Sequence, residues 1–325
     1  MRAIIQSDVG DIDVLGVREV PEPRLEPGGL LIRSTAIGVN FHDVEIRRRG
    51  ERGLTMPSVP GTDVAGVVER VAAGVTDFAP GDRVVALVPS GGYAEVVHAS
   101  VALTARLPDA IDDRVAASMP VPGLTAWFLC RDAIGTEVEH VVVHSAAGGV
   151  GCWIAALLRA DSARVVGIVS SAEKAIVAER AGYDAVVDRS RDAKVVDAVR
   201  AATLRRGADV VFDAVGGARF GDSFRMLRAN GTVTLYGRAA GAASLDELAD
   251  VLIDARGNYG LRTFFLGRAL MSHMALVRSA FGELLGRAAD GSLAMPIVEL
   301  ALEQAGQAQH ALESGTTTGK IVLCP

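Results

Sequence analysis

His140-Val141-Val142-Val143-His144-Ser145-Ala146-Ala147-Gly148-Gly149-Val150-Gly151 is the stretch that decides the fold. Its first five residues read as a buried strand that runs straight into a glycine turn, and the apolar run after it reads as a helix over about 149–160. Strand, glycine turn and helix in that order are the context a dinucleotide fingerprint requires. Ala146, Gly148 and Gly151 take its three positions. The second lets backbone approach a pyrophosphate, the third lets helix and strand pack closely, and Ala146 departs from the glycine usual at the first. The anion would rest on N–H groups at the helix start, along Ala147, Gly148, Gly149, Val150 and Gly151, where the helix dipole favours negative charge. The competing reading is a tight strand-to-helix turn with no ligand.

Downstream, strands and helices alternate. Strands are predicted near 164–169, 185–187, 208–213, 232–236 and 260–265, with helices near 172–181, 193–202 and 223–228. Runs such as Val165-Val166-Gly167-Ile168-Val169 are apolar on both faces, as in a parallel sheet covered on both sides, so an α/β doubly wound sheet is expected over 120–265. Upstream, short β-rich runs at 2–5, 29–36, 65–71, 83–88 and 93–98 are separated by turns such as Pro80-Gly81-Asp82, which predicts a mostly antiparallel β domain over 1–119. Past 266 the pattern predicts helices over 270–288 and 297–312. A last strand over 320–324 returns to the first domain.

The end of the second strand of the parallel sheet selects the dinucleotide, because an acid there binds a ribose 2′-OH and repels a 2′-phosphate. Here Ile168-Val169 is followed by Ser170, Ser171 and Lys174, with Arg189 beyond the third strand. Two hydroxyls, an ammonium and a guanidinium predict NADPH over NADH. The alternative makes Ser171 a helix cap and Lys174 a solvated side chain.

The 325 residues are half apolar and 22% charged, which excludes disordered and low-complexity classes. A net charge of −6 supplies no field for nucleic acid or anionic lipid. Cys130, Cys152 and Cys324 are isolated, so a disulfide framework is not expected, and with no signal-peptide pattern at the N-terminus the expectation is cytoplasmic. Residues 141–158 lack Asp, Glu, Lys and Arg, but the glycines and His144 argue for strand, turn and helix rather than a membrane span.

Further marks run the length of the chain: Gly38-Val39-Asn40-Phe41-His42-Asp43 with Arg47 and Gly50, Pro60-Gly61-Thr62-Asp63, Gly81-Asp82-Arg83-Val84, Gly92-Tyr93-Ala94-Glu95, Gly123-Leu124-Thr125-Ala126 and Gly319-Lys320-Ile321-Val322. With the glycine turn and in this order, they resemble the medium-chain dehydrogenase/reductase superfamily, in its zinc-free quinone oxidoreductase branch. The resemblance implies a GroES-like β domain, a Rossmann domain and an active cleft between them. Related alcohol dehydrogenases carry zinc-binding Cys and His where this chain has Asn40 and Thr62, and His42 with Asp63 cannot complete a three-ligand site, so no catalytic metal is expected.

Without a metal, hydride must go to an acceptor that is already electrophilic, a quinone or an α,β-unsaturated carbonyl. The resemblance places Asn40 and Thr125 near the nicotinamide and implies cofactor contacts from Val215, Tyr236, Gly237, Arg238, Phe264, Phe265, Leu266, Gly319 and Lys320. Competing readings make Asn40 a left-handed turn residue and Thr125 a helix-start residue. His42, Asp43, Glu45 or water could supply the proton, and Asp43 could instead hold Arg47 or local backbone. Two other functions stay open. One is an enoyl-thioester reductase of fatty-acid or polyketide assembly, with Arg47, Arg48, Arg49 and Arg52 as a phosphate-binding cluster; the other is an NADPH-binding protein with little turnover. A homodimer is expected through the apolar edge strand at 262–265.

Overall fold

The computed structural model describes residues 1–51, 53–133, 138–159, 163–192, 194–244, 248–253 and 257–325. They form two compact units, the first of residues 1–124, 273–290 and 296–325, the second of residues 125–272 and 291–295. Residues 120–124 therefore stay with the first unit and 266–272 with the second, a few residues from where the sequence texture changes.

The first unit opens with β1 (Arg2–Gln6) paired antiparallel to β2 (Leu15–Glu19). Its main sheet comprises β3 (Gly29–Gly38), β4 (Asp63–Val71), β5 (Arg83–Leu87), β6 (Val96–Ser100) and β7 (Thr104–Arg106). All of these pair antiparallel, with β3 between β4 and β6, and β5 between β4 and β7. Alternation puts Leu30, Ile32, Val64, Val68, Val84 and Val97 into one core. Helix α1 (Phe41–Arg49) follows β3, and the short α2 (Asp113–Ala116) precedes α3 (Pro120–Ala133), which leads the chain into the second unit.

There the alternation expected from the sequence is realised. The strands are β8 (His140–His144), β9 (Arg164–Val169), β10 (Ala185–Asp188), β11 (Ala208–Asp213), β12 (Leu227–Leu235) and β13 (Gly260–Thr263). They stand in the order β10-β9-β8-β11-β12-β13, all parallel. Helices α4 (Gly149–Leu158), α5 (Ala172–Ala181), α6 (Val195–Ala202), α7 (Phe220–Arg225) and α8 (Leu248–Ile253) join them, and α9 (Leu266–His273) follows β13. Val142, Val166, Ile168, Val211 and Val233 of the sheet pack with Val195, Val199, Phe220 and Phe224 of α6 and α7. The strand order reverses between β8 and β11, so the carboxyl ends of these two strands mark the topological switch point, where doubly wound sheets bind ligands.

After α10 (Val277–Ala289) come β14 (Ile297–Ala301), α11 (Ala305–Glu313) and β15 (Lys320–Cys324). The terminal strand pairs antiparallel with β3 of the first unit, and β14 pairs parallel with β15. Three helix predictions depart most from the structure. Residues 297–301 are a strand, because β15 offers an edge that the β-branched Ile297-Val298 pair can extend, and only residues 305–313 are helical. The helix predicted over 270–288 is interrupted by a 3₁₀ turn at Met274–Leu276. The helix predicted at 223–228 starts three residues earlier, where Phe220 and Phe224 pack edge to face at 5.6 Å.

Candidate functional site

The second unit brings its predicted residues to one edge, the carboxyl ends of parallel strands. At the end of β8 the residue in left-handed conformation is Ser145, with φ 57°, so the fingerprint position at Ala146 does not demand glycine. Ala146 is accommodated from across the sheet, where the bare Gly167 of β9 faces its methyl. Gly148 is the N-cap of α4 and leaves the helix start without a side-chain cap. A Cβ on Gly151 would meet the Ala146 carbonyl oxygen at 2.5 Å, so the close helix–strand approach assigned to the third fingerprint position is present. Tyr183 adds a lock by donating its hydroxyl to the Gly151 carbonyl at 2.8 Å. Ala147 is buried, and Gly149 and Val150 form the half-buried first turn of α4.

At the end of β9, Ser171 caps α5 by accepting the Lys174 N–H at 3.3 Å, and the Lys174 ammonium donates to Ser170 Oγ at 3.2 Å. Capping and a basic side chain thus coexist. Burial, then the positive charge of Arg189, pushes the Lys174 pKa down. The charge of Arg189, which follows β10, is thus felt at Lys174.

At the switch point, His144 ends β8 and Asp213 ends β11. The Ser223 hydroxyl donates to Asp213 Oδ2 at 2.7 Å and stands 3.1 Å from His144 Nε2. Ser223 has one proton, already given to Asp213, so His144 Nε2 carries its own and donates. Burial pushes the imidazole pKa down, with Asp213 opposing. Asp213 Oδ1 accepts the N–H groups of Val215 (2.7 Å) and Gly216 (3.0 Å), which fixes the loop after β11. His144 is thus a strand-end residue, but one tied to a buried carboxylate that the sequence did not point to. Tyr236 N–H bonds the Asp213 carbonyl at 2.9 Å, and Gly237 lies so close to Ala214 that a Cβ would stand 2.5 Å from its oxygen. Arg238 follows, its carbonyl accepting the Gly241 N–H. Phe264 N–H bonds Leu235, Phe265 is exposed, and Leu266 begins α9.

In the first unit Asn40, Asp43 and Lys320 belong to one buried network. Asn40 is the extended N-cap of α1, with φ −118°, not a left-handed turn residue. Its side-chain oxygen accepts Lys320 Nζ at 2.5 Å, its Nδ2 lies 3.3 Å from Thr62 Oγ1, and Lys320 Nζ also meets Asp63 Oδ2 at 3.0 Å. Asp63 Oδ1 takes the Val121 N–H at 3.0 Å. Gly319, at φ +66°, turns the chain into β15, where a Cβ would lie 2.0 Å from the Pro296 carbonyl oxygen. Asp43 Oδ2 accepts the Asn40 N–H and the Tyr93 hydroxyl, each at 2.8 Å, while Oδ1 is buried with no hydrogen-bond partner among the described residues. Burial raises this carboxyl to about 6 against those two bonds. Of the two holding roles considered, Asp43 takes backbone rather than Arg47.

Arg47 is fully buried and donates to Gln309, the Gly10 carbonyl and Glu313, and Arg48 also pairs with Glu313. The predicted basic cluster therefore loses two members to internal pairing, and Arg52 lies outside the described residues. His42 is half-buried on α1, 4.0 Å from Glu51. Thr125 sits buried inside α3, not at a helix start.

Family comparison covers both halves of the chain. Residues 26–109 match the alcohol dehydrogenase GroES-like domain and residues 149–273 match the zinc-binding dehydrogenase model. The chain is 33% identical to a probable quinone oxidoreductase of Schizosaccharomyces pombe, over 98% of this chain and 95% of that one. It is 32% identical to a 2-haloacrylate reductase of Burkholderia sp, over 92% and 91% respectively. The crystal structure of Escherichia coli quinone oxidoreductase complexed with NADPH aligns with a TM-score of 0.92 at 28% identity, covering 100% of both chains.

A GroES-like β domain with a Rossmann-type sheet is the make-up of medium-chain dehydrogenases and reductases. The chain belongs to that superfamily, in its zinc-free quinone oxidoreductase branch, and is an oxidoreductase. At the positions compared with zinc ligands, Asn40 and Asp63 hold the Lys320 ammonium.

Proposed function

We propose that the protein is an NADPH-dependent, zinc-independent reductase of quinones and α,β-unsaturated carbonyls. The observation that carries this reading is the glycine-lined turn at 145–151 combined with Lys174 after β9 and Arg189 after β10. The residues present fit the cofactor: Gly151 and Gly237 leave space that a Cβ would fill, α4 starts without a side-chain cap, and Lys174 and Arg189 are two cations close enough for the charge of one to act on the other, which supports a 2′-phosphate partner.

Bound there, the nicotinamide would supply a hydride. The protein's part is to hold and orient. Ala147 to Gly151 would take the diphosphate, and Ser170, Ser171, Lys174 and Arg189 the phosphorylated ribose. Val215, Tyr236 to Arg238 and Phe264 to Leu266 would line the same strand ends. Asn40, Thr125, Gly319 and Lys320 would complete the nicotinamide environment. With Asp43 wholly buried, solvent water is the simplest proton source for a quinone product.

Similarity to a 2-haloacrylate reductase favours electron-poor alkenes as a second acceptor class. The enoyl-thioester reading is weakened by the internal use of Arg47 and Arg48. A homodimer through the edge of the parallel sheet, acting in a reducing cytosol, completes the reading. The test is a screen of quinones, enones and enoyl thioesters with NADPH and NADH in the presence of a chelator. Quinone or enone turnover with NADPH is expected; cofactor binding without turnover on any acceptor would reject it in favour of a binding protein.

A further inference from the structure

We propose that Lys320 is the positioning residue that orients the Asn40 side-chain amide, so that its NH₂, not its oxygen, faces the carbonyl oxygen of the hydride acceptor. This deepens the reductase reading and rests on it. A lysine ammonium has only donors, so the Asn40 atom 2.5 Å from Lys320 Nζ is the amide oxygen. The other end of the amide is equally committed: Thr62 Oγ1 donates to Asp63 Oδ1 and offers its lone pair to Asn40 Nδ2, both at 3.3 Å. Thr62 uses one of the two Asn40 N–H donors, and the second remains for a bound oxygen.

The lysine position is built. A Cβ on Gly38 would stand 2.8 Å from Lys320 Cε, and the left-handed Gly319 delivers Lys320 at the first residue of β15. The pair is deeply buried, with side-chain exposures of 3% for Lys320 and 0% for Asp63. Such a pair is weak evidence for stability, since well-packed apolar side chains often do as well. Its chemical consequence is clearer. When a hydride adds to the acceptor carbon, the π pair moves onto the conjugated oxygen, which carries negative charge until water protonates it. The two electrons would come from a bound reduced nicotinamide. An N–H aimed at that oxygen stabilises the charge, whereas an amide oxygen would repel it.

The test uses the full chain with NADPH and 1,4-naphthoquinone, with NADPH binding read separately by fluorescence. Asn40→Asp preserves shape and forms an ion pair with Lys320, so it folds, yet it presents only acceptors. Its kcat is expected to fall about 100-fold, the usual order for a lost oxyanion donor, a loss larger than any change in NADPH affinity. Lys320→Met is expected to lower kcat in the same way. In the apoprotein it should also shift the Asn40 side-chain NH₂ resonances and remove their exchange protection. Unchanged kcat in Asn40→Asp, or unmoved Asn40 resonances in Lys320→Met, overturns the proposal. Failure of the wild-type chain to bind NADPH would instead overturn the reductase reading, and the apoprotein resonances would still decide whether Lys320 orients Asn40.

Discussion

Gly167 faces Ala146 across the sheet so closely that a Cβ on Gly167 would stand 2.7 Å from the Ala146 Cβ and 3.0 Å from the Tyr183 ring. The extra methyl at the first fingerprint position is thus balanced by a missing one on the neighbouring strand. Gly167→Ala overpacks this point and is expected to cost about 1–3 kcal/mol. Ala146→Gly in the same chain should recover part of the loss, although the Tyr183 contact remains. Urea denaturation of the three variants measures this coupling, and additive losses would contradict it.

Asp43 makes stability depend on pH in an unusual direction. Its carboxyl rises from 3.8 to about 6 on folding, chiefly through burial. Below pH 3.8 both states hold the proton and the group costs nothing; above about 6 the folded state must bear a buried charge, and the full shift amounts to about 3 kcal/mol. Asp43→Asn keeps an oxygen for the Asn40 N–H and the Tyr93 hydroxyl and removes that charge. The variant's stability relative to wild type should therefore rise between pH 4 and 6.5 and level off above. A pH-independent difference would contradict the assignment.

The β13 edge presents Leu261 at 51% exposure, with Phe265 at 55% just beyond it. An exposed apolar edge strand invites pairing with a second copy. Light scattering on the wild-type chain is expected to give two chains per particle, and Leu261→Glu combined with Phe265→Glu to give one. A wild-type monomer would remove the dimer from the account.

The doubly wound sheet was legible because His140–His144, Arg164–Val169 and Ala208–Asp213 are apolar on both faces and are separated by helix-length segments. The return of residues 320–324 to the first domain was legible too, whereas β14 was not. Its partner is a strand more than twenty residues later, and periodicity cannot foresee an edge made elsewhere. The site divides in the same way. Local signals, the glycine turn and the Ser-Ser-x-x-Lys strand end, could be read directly. The long-range bonds could not: Tyr93 to Asp43, Lys320 to Asn40 and Asp63, and Ser223 to His144 and Asp213 join residues whose types and spacing carry no shared pattern. Arg47 reads as part of a basic cluster because three arginines run together, and only the fold shows it buried on Gln309 and Glu313.

In the proposed reading, residues 145–151 bind a diphosphate while Lys174 and Arg189 select the phosphorylated ribose. Titration calorimetry of the wild-type chain and of Lys174→Ala, each with NADPH and NADH, tests it most directly. The wild type should bind NADPH more tightly than NADH, and the substitution should weaken NADPH by about 1.5–3 kcal/mol, roughly 10- to 100-fold, while sparing NADH. Equal affinity of the wild type for both nucleotides, or equal loss of both in the variant, would contradict the account.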